Sequence, residues 1–194
     1  MNKKFFKKIL ADYQKYNEMR EIVIRNSRQV LKLSKQAIFN LHRDEIKQAS
    51  EDLNQAEKIL IDLSKLFTKE KKLNYEGSYK EGVEEYIEAQ LFYGFVVNNK
   101  VEVKSTLKFS FDDYLGGISD LTGEMLRKAI QLATKGEYQK LELYHQTLEY
   151  IMGELIKFNL TRKLRMKYDA AKRNLRRLEE IRYEIEIKGL NKKS

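Results

Sequence analysis

The stretch EIVIRNSRQVLKLSKQAIFNLHR, residues 21–43, decides the fold class of this 194-residue chain. Its apolar residues recur three and four positions apart, which is the period of an amphipathic α-helix with one buried face. That face consists of Val23, Val30, Ala37 and Leu41, with Ile24, Leu31 and Ile38 beside them. The chain contains no proline, so the strongest helix breaker is absent throughout. We therefore predict an all-α fold built from long helices.

Periodicity and capping signals predict about six helices, at about 2–43, 44–72, 79–99, 113–134, 137–158 and 161–188. Asp44 is the predicted N-cap of the second helix, and Asp112 or Asp113 that of the fourth. Gly136 and Gly189 are predicted to end helices. The segment VEVKSTLKFS, residues 101–110, alternates apolar and polar residues. A single strand has no partner here, so an extended connector is favoured over a strand.

Length and composition favour one domain over residues 1–194, an antiparallel bundle of about six or seven helices. Cysteine is absent, which excludes disulfides and thiolate metal sites. No run of about 18 apolar residues exists, so no transmembrane helix is predicted. The basic N-terminus has no apolar centre or small-residue cleavage site typical of a secretory signal. We expect a soluble, cytoplasmic protein.

The net charge of +9 is unevenly distributed. Residues 1–43 carry 11 basic and 3 acidic side chains, and residues 157–193 carry 13 and 5. Residues 81–124 carry 9 acidic and 3 basic side chains. Basic faces attract polyanions, whereas an acidic region repels them unless cations are bound there. The pattern indicates phosphate chemistry with a divalent metal, or, as an alternative, unrelated solvated faces.

The third predicted helix contains an acidic cluster within EGVEEYIEAQ, residues 81–90. Glu85 and Glu88 are three positions apart and so share a helix face. Apolar residues stand beside them, so this helix does not face solvent all round. A metal-binding pair and a solvated acidic face both remain open.

The fourth predicted helix contains DYLGGISDLTGEMLRK, residues 113–128. Asp113, Gly117, Asp120 and Glu124 follow a 4-3-4 spacing, which places them in one column. Gly116 and Gly123 flank that column, and glycine inside a helix costs about 0.5–1 kcal/mol relative to alanine. Either another backbone packs closely at these glycines or a ligand approaches the two carboxylates there.

The two acidic helices can converge in a bundle, giving four carboxylates suited to Mg²⁺ or Mn²⁺. Such ions support phosphodiester hydrolysis without a protein nucleophile. A helical di-iron site normally requires a Glu-x-x-His pair from each of two helices, and this chain has only one such pair, Glu142 with His145. Both histidines are interpreted as structural.

Two basic stripes are candidates for RNA contact, one on the first helix and one on the last. The candidate RNA-binding residues are Arg20, Arg25, Arg28, Lys32, Lys35, Arg162, Arg165, Lys172 and Arg176. Asp169 interrupts the second stripe. Either stripe alone could be a solvated face, whereas two at opposite ends of one chain favour binding. Exposed members of the 12 tyrosines could stack bases.

Four motifs in order along the chain resemble the translin family, and within it translin-associated factor X. They are SKQAIFNLHR (34–43), EYIEA (85–89), DYLGGISDLTGEMLRK (113–128) and KYDAAKRNLRRLEEIRYEIEIKGL (167–190). The resemblance implies a seven-helix bundle that assembles into hollow octamers with single-stranded RNA inside. It also implies a Mg²⁺-dependent endoribonuclease, with catalytic and metal-binding roles for Glu85, Glu88, Asp120 and Glu124.

Two departures from the family pattern limit this resemblance. The segment YEGSYKEG, residues 75–82, does not match the basic, histidine-containing RNA-binding segment of translin. The chain also lacks the long connector that animal relatives have before DYL. A compact, microbial-type protein of this kind is expected to form a homo-oligomer, with a translin-like paralogue as an open alternative. A non-catalytic single-stranded RNA or DNA-binding protein and a purely structural helical scaffold are the alternative functions.

Overall fold

The computed structural model describes residues 3–189, which form six α-helices. They are α1 (Lys3–His42), α2 (Ile46–Phe67), α3 (Gly77–Asn98), α4 (Phe111–Thr134), α5 (Leu141–Leu155) and α6 (Arg162–Ile187). Short 3-10 segments cover Lys71–Tyr75 and Tyr138–Lys140. This range contains no β-strand, so the all-α prediction is confirmed and residues 101–110 are the predicted connector. None of these helices has the length and apolar character needed to cross a membrane.

The chain divides into two compact units. One consists of Met1–Ala89 with Lys104–Phe109, and the other of Gln90–Val103 with Ser110–Ser194. The boundary falls inside α3 and again inside the connector, so no linker marks it. The prediction of a single domain over residues 1–194 stays a prediction.

In the first unit, α1 and α2 form a helical hairpin because only residues 43–45 connect them. The predicted N-cap at Asp44 is wrong: Asp44 adopts a φ of 63° in the turn, and Glu45 occupies the N-cap position. The core of the hairpin includes Leu41, Leu53 and Leu60, all fully buried or nearly so. Burying one leucine contributes about 1.5–3 kcal/mol, so this face holds the hairpin together.

The N-terminal part of α1 carries large apolar residues that the described part of the chain leaves exposed. Those exposed there are Phe5, Phe6, Ile9, Leu10 and Tyr13. The segment also carries four lysines within residues 3–8, so it is a basic amphipathic helix.

In the second unit, α4 packs against α5 and α6 around Leu121, Met125 and Leu148. The N-cap of α4 is Ser110, not Asp112 or Asp113 as predicted. The hydroxyl of Ser110 accepts from the Asp113 amide at 3.2 Å, and the Asp113 carboxylate accepts from the Ser110 amide at 3.1 Å. This reciprocal pair is a capping box, which explains why Asp113 is buried at the start of the helix.

α2 ends at Phe67, five residues before the predicted end at Lys72. Glu70 adopts an extended conformation with a φ of −141°, which interrupts the helix. Its carboxylate then accepts from the amide of Lys72 at 3.3 Å and begins the 3-10 segment. A polar side chain that caps its own neighbours competes with helix continuation, and periodicity alone does not reveal this.

Candidate functional site

Glu85 and Glu88 occupy the part of α3 that belongs to the first unit. Glu88 is only 8% exposed, because its neighbours Tyr86 and Ile87 are buried in the core. The Lys35 ammonium lies 3.9 Å from the Glu85 carboxylate. Glu81, one turn earlier, is exposed. Within the acidic cluster, Glu81 is therefore solvated, whereas Glu85 and Glu88 are half-buried and buried.

Asp120 and Glu124 lie one turn apart on α4 in the second unit, and both are half-buried. The Lys167 ammonium on α6 donates a hydrogen bond to Oδ2 of Asp120. The Arg127 guanidinium lies 3.6 Å from the Glu124 carboxylate, on the same helix. Each of these two acids thus has a basic partner within its own unit, which reduces the repulsion between them.

Lys128 is a residue of this column that the sequence analysis missed. It follows Glu124 by four positions, so it belongs to the same helix face, and it is only 4% exposed. A lysine this deeply buried is rare in proteins unless its ammonium is paired. The 4-4 spacing of Asp120, Glu124 and Lys128 was the available signal, but an isolated lysine after an acidic pair also fits a solvated face.

The donor chemistry of each carboxylate pair fits a hard divalent cation. Mg²⁺ is commonly held by one or two carboxylates, with water and substrate phosphate completing its octahedral shell. Within residues 3–189, however, no three His, Asp or Glu side chains form a group that could hold a metal ion. The predicted convergence of all four carboxylates stays a prediction, since Glu85 and Glu88 belong to one unit and Asp120 and Glu124 to the other.

The glycines of α4 do not all have the same role. Gly116 and Gly117 are buried in the second unit. A Cβ at Gly123 would meet only the Asn174 side-chain nitrogen, at 3.6 Å, which is ordinary van der Waals contact. That nitrogen donates to the Thr122 hydroxyl at 2.9 Å. Close backbone packing therefore does not require glycine at position 123.

Arg25, Arg28 and Lys32 form an exposed basic stripe on α1. No carboxylate forms a salt bridge with any of these three side chains in the described part of the chain. Phosphate is the anion that such free guanidinium and ammonium groups bind well. Lys35 continues the stripe and is the residue whose ammonium approaches Glu85.

Arg20, also predicted to bind RNA, is engaged within the protein. Its guanidinium donates twice to the Glu76 carboxylate, through Nε at 2.9 Å and Nη2 at 3.0 Å. This hydrogen-bonded partner raises the pKa of the Arg20 guanidinium above its usual value. The bidentate pair ties α1 to the residue that precedes α3.

The basic stripe on α6 is partly neutralised by its own helix. Arg165 pairs with Asp169 at 3.3 Å, and Arg176 lies 3.6 Å from Glu180. Arg162 and Lys172 are exposed and form no salt bridge among the residues described. Of the two predicted stripes, the one on α1 retains more uncompensated charge for a polyanion.

The two histidines lie on α1 and α5, whereas the carboxylate pairs lie on α3 and α4. His42 is buried near the end of α1. His145 on α5 lies 3.9 Å from the Glu179 carboxylate on α6. The interpretation of both histidines as structural stays a prediction.

The sequence profile of the Translin family matches residues 18–189 of this chain. The chain belongs to the Translin family. The match includes both carboxylate pairs and both basic stripes, and leaves out residues 3–17 of α1. The matched range therefore includes the candidate site residues, and all five exposed apolar residues near the start of α1 lie before it.

Several proteins of known sequence are similar to this chain over shorter or longer ranges. Translin from Gallus gallus is 31% identical over 84 residues, which are 43% of this chain and 37% of the chicken protein. Human translin is 29% identical over a range of the same length. An uncharacterized protein from Methanocaldococcus jannaschii is 24% identical over 173 residues, covering 85% of this chain and 70% of that protein. The chain thus aligns with little more than a third of the vertebrate translins.

Solved structures share the Translin-family fold over nearly the whole chain. The crystal structure of apo-NeC3PO superposes with a TM-score of 0.84 at 25% identity, covering 94% of this chain and 97% of that one. A complex of AfC3PO with duplex RNA superposes with a TM-score of 0.84, covering 96% and 98%. At 19% identity, the second likeness concerns the fold alone.

Proposed function

We propose that this Translin-family chain binds single-stranded RNA and cleaves it in a reaction that depends on Mg²⁺ or Mn²⁺. The observation that carries the proposal is the presence of two carboxylate pairs, one on α3 and one on α4. Within each pair the two carboxylates are one turn apart, and all four positions are buried or half-buried. These four positions are those at which the motifs resemble translin-associated factor X rather than translin. The proposed catalytic set is therefore Glu85, Glu88, Asp120 and Glu124.

RNA binding is assigned first to the α1 stripe. Arg25, Arg28 and Lys32 are exposed and have no acidic partner among the residues described. Arg162 and Lys172 on α6 are secondary contacts, because their neighbours Arg165 and Arg176 are already paired. Arg20 is assigned a structural role with Glu76. In support, AfC3PO, which shares the fold, has a solved structure in complex with duplex RNA.

Each carboxylate pair supplies oxygen ligands of the kind that Mg²⁺ prefers. When bound, the cation neutralises phosphate charge and lowers the pKa of a coordinated water. Lys167 and Arg127 hold Asp120 and Glu124 in place before that happens. Lys35 does the same for Glu85. Metal binding then competes with these ammonium and guanidinium groups, so we expect metal affinity to depend on ionic strength.

A homo-oligomer, with eight copies as the family resemblance implies, is part of the same proposal. Large apolar side chains are exposed on the first 13 residues of α1 and again around Ile156, Phe158 and Met166. Exposed apolar patches of this kind mark protein interfaces more often than free surface. A translin-like paralogue is the alternative partner for these surfaces.

The decisive experiment is cleavage of a 5′-labelled, unstructured RNA with Mg²⁺ and with a chelator. We expect cleavage only with Mg²⁺, and loss of cleavage without loss of binding in Glu88→Gln and Asp120→Asn. Glu84→Gln is the matched control, because Glu84 lies on the same helix outside the proposed set. Cleavage in the chelator, or cleavage that survives both substitutions, would show that these carboxylates are not the catalytic set.

A non-catalytic binding protein is the alternative, and one observation favours it. Glu85, Asp120 and Glu124 each have a basic partner within their own unit, which already offsets their charge without metal. This alternative predicts intact RNA after prolonged incubation with Mg²⁺ or Mn²⁺. It also predicts salt-sensitive binding that Arg25→Met and Arg28→Met weaken and Asp120→Asn leaves unchanged.

A further inference from the structure

A groove of about 680 Å³ lies in the first unit, between the C-terminal half of α1 and the beginning of α2. One wall carries the cations Arg28, Lys32 and Lys35 of α1. Phe39 and Asn40 continue the same wall toward the hairpin turn. The volume is in the range of small-ligand sites, and the groove is open to solvent along one side.

The cationic wall offers a phosphate position. Arg28 and Lys32 follow each other at a spacing of four, so their charged groups lie on one side of the helix. Both are exposed and form no salt bridge within residues 3–189. A phosphate bound here would accept charge-assisted hydrogen bonds from Arg28 and Lys32, whose donor groups form no salt bridge with a carboxylate of the described residues.

Phe39 offers a stacking position beside that phosphate position. Phe39 is 50% exposed, so part of its ring is accessible to a ligand in the groove. The guanidinium carbon of Arg43 lies 5.5 Å from the ring centroid, and Arg43 is itself paired with Glu45 at 2.9 Å. An exposed aromatic ring next to cations is the arrangement on which unpaired bases stack.

Asp52 lines the same groove and is 7% exposed. It accepts from the Asn40 amide at 2.8 Å and from the Gln48 amide at 3.4 Å, and no cation pairs with it in the described part of the chain. Each oxygen of an ionised carboxylate has two lone pairs, so both oxygens can accept a further donor. Carboxylates accept from base amino groups, as they do from N4 of cytosine.

We propose that this groove binds one unpaired nucleotide of the RNA, an inference that rests on the proposed RNA-binding function. Its phosphate contacts Arg28 and Lys32, and its base stacks on Phe39. Its amino-bearing edge donates to Asp52. Guanine is preferred, because N1–H and N2–H are two adjacent donors that match one carboxylate. Uracil is disfavoured, because its single N3–H lies between two carbonyl oxygens that the carboxylate repels.

The test measures binding of fluorescent 12-nucleotide RNAs in Mg²⁺-free buffer with chelator, so that no cleavage intervenes. The probes are oligo-U and a UUG repeat. The protein is expected to bind the UUG repeat more tightly than oligo-U. Phe39→Ala should weaken both by about tenfold, since one stacked base contributes on that scale. Asp52→Asn should remove the preference for the UUG repeat, by weakening binding of the UUG repeat and strengthening binding of oligo-U, because the carboxylate that repels the uracil carbonyls is gone.

Phe111→Ala is the matched control, because Phe111 is 73% exposed and lies at the start of α4. It should leave both affinities unchanged. Phe39→Leu keeps an apolar side chain at the hairpin, and it tests stacking if Phe39→Ala disturbs folding by circular dichroism. With Phe39→Leu we again expect weaker binding of both probes.

Three results would overturn the groove assignment. One is equal affinity for the two probes in the wild-type protein. Another is unchanged RNA affinity in Phe39→Leu. The third is a change of oligomer mass in Phe39→Leu without a change in RNA affinity, which would assign the groove to a second copy of the chain. In each case, weaker binding by Arg25→Met would leave the RNA-binding function standing. No binding of any RNA at physiological salt would contradict that function itself.

Discussion

The Lys167 ammonium on α6 donates a hydrogen bond to Oδ2 of Asp120 on α4. Both side chains are less than one-third exposed, so solvent screens the pair only partly. Asp120 and Glu124 are one turn apart, and like charges at that spacing repel. Lys167 therefore supplies positive charge beside Asp120, as a metal ion would. It does not supply the coordination chemistry of a metal ion.

Replacing Lys167 by methionine should make the second unit respond to metal. Without metal, Lys167→Met is expected to lower the unfolding temperature by about 3–6 °C, because a charged hydrogen bond contributes about 1–2 kcal/mol. Addition of MgCl₂ should recover most of that loss. Differential scanning calorimetry with and without a chelator measures both effects. Lys172→Met, on the exposed side of the same helix, is the control. An equal response to Mg²⁺ in wild type and both variants would contradict the expectation.

Arg20 and Arg28 should separate stability from RNA binding. Arg20→Met removes the bidentate pair with Glu76 and should lower the unfolding temperature with little effect on RNA affinity. Arg28→Met should leave stability unchanged and reduce the slope of log affinity against log salt by about 0.7, the value for one single-strand phosphate contact. Fluorescence anisotropy from 50 to 300 mM salt measures the slope. A shallower slope in Arg20→Met would mean that Arg20 also contacts phosphate.

The contribution of Arg20 to stability should not vary with pH in the working range. Its folded pKa is raised above the unfolded value, so the stabilisation is fully present below the unfolded pKa. It is lost only as pH rises through the raised pKa, which is more alkaline than any usual assay. The difference in unfolding free energy between wild type and Arg20→Met should thus be constant from pH 6.5 to 9. A difference that shrinks steadily over this interval would point to another titrating group.

Two glycines provide a matched pair for packing. A Cβ at Gly82 would lie 2.9 Å from the Ser27 carbonyl oxygen on α1, which is a steric clash. Backbone atoms would have to move to relieve it. Gly82→Ala should therefore destabilise the chain by about 1–3 kcal/mol. Gly123→Ala meets no such contact and should be neutral or stabilising by up to about 1 kcal/mol. Urea unfolding at one fixed protein concentration compares them. Equal effects of the two substitutions would show that the α1–α3 approach is not limiting.

The uncovered apolar side of α1 should contribute to assembly. Phe6, Ile9 and Tyr13 lie on one side of the helix and are all exposed. Replacing all three by serine is expected to lower the mass of the homo-oligomer measured by light scattering. Substituting Lys8 and Lys15 by serine on the other side of the helix should leave that mass unchanged. An unaltered assembly in the triple variant would exclude this segment as a subunit contact.

The helices themselves could be predicted from the sequence because their apolar period is long and uninterrupted, as in residues 23–41. Helix boundaries that depend on individual side chains could not be predicted in this way. Ser110 caps α4 and Glu70 stops the preceding helix through local hydrogen bonds that compete with helix propensity. The capping box also removes Asp113 from the acidic column, leaving Asp120 and Glu124 as its carboxylate pair.

The candidate residues could be identified from the sequence, but their partners could not. Arg20 and Arg28 look alike in sequence, yet one is paired with Glu76, 56 positions away, and the other faces solvent. Lys167 and Asp120 are 47 positions apart, so no spacing rule connects them. Asp52 and Phe39 line the same groove only because the hairpin places α2 beside α1. Contacts between distant positions are determined by tertiary packing, which cannot be read from a single sequence.

α1 contains neither proline nor glycine from Lys3 to His42, so it has no position at which kinks usually occur. Its 40 residues extend over about 60 Å, at about 1.5 Å per residue. Phe39 and the exposed apolar end of the helix are therefore parts of one stiff rod. A tilt of about 5° at the groove would displace the residues near Ile9 by about 3 Å, as a lever does. We therefore expect occupancy of the groove to alter the geometry of a subunit seated on the far end of this single helix.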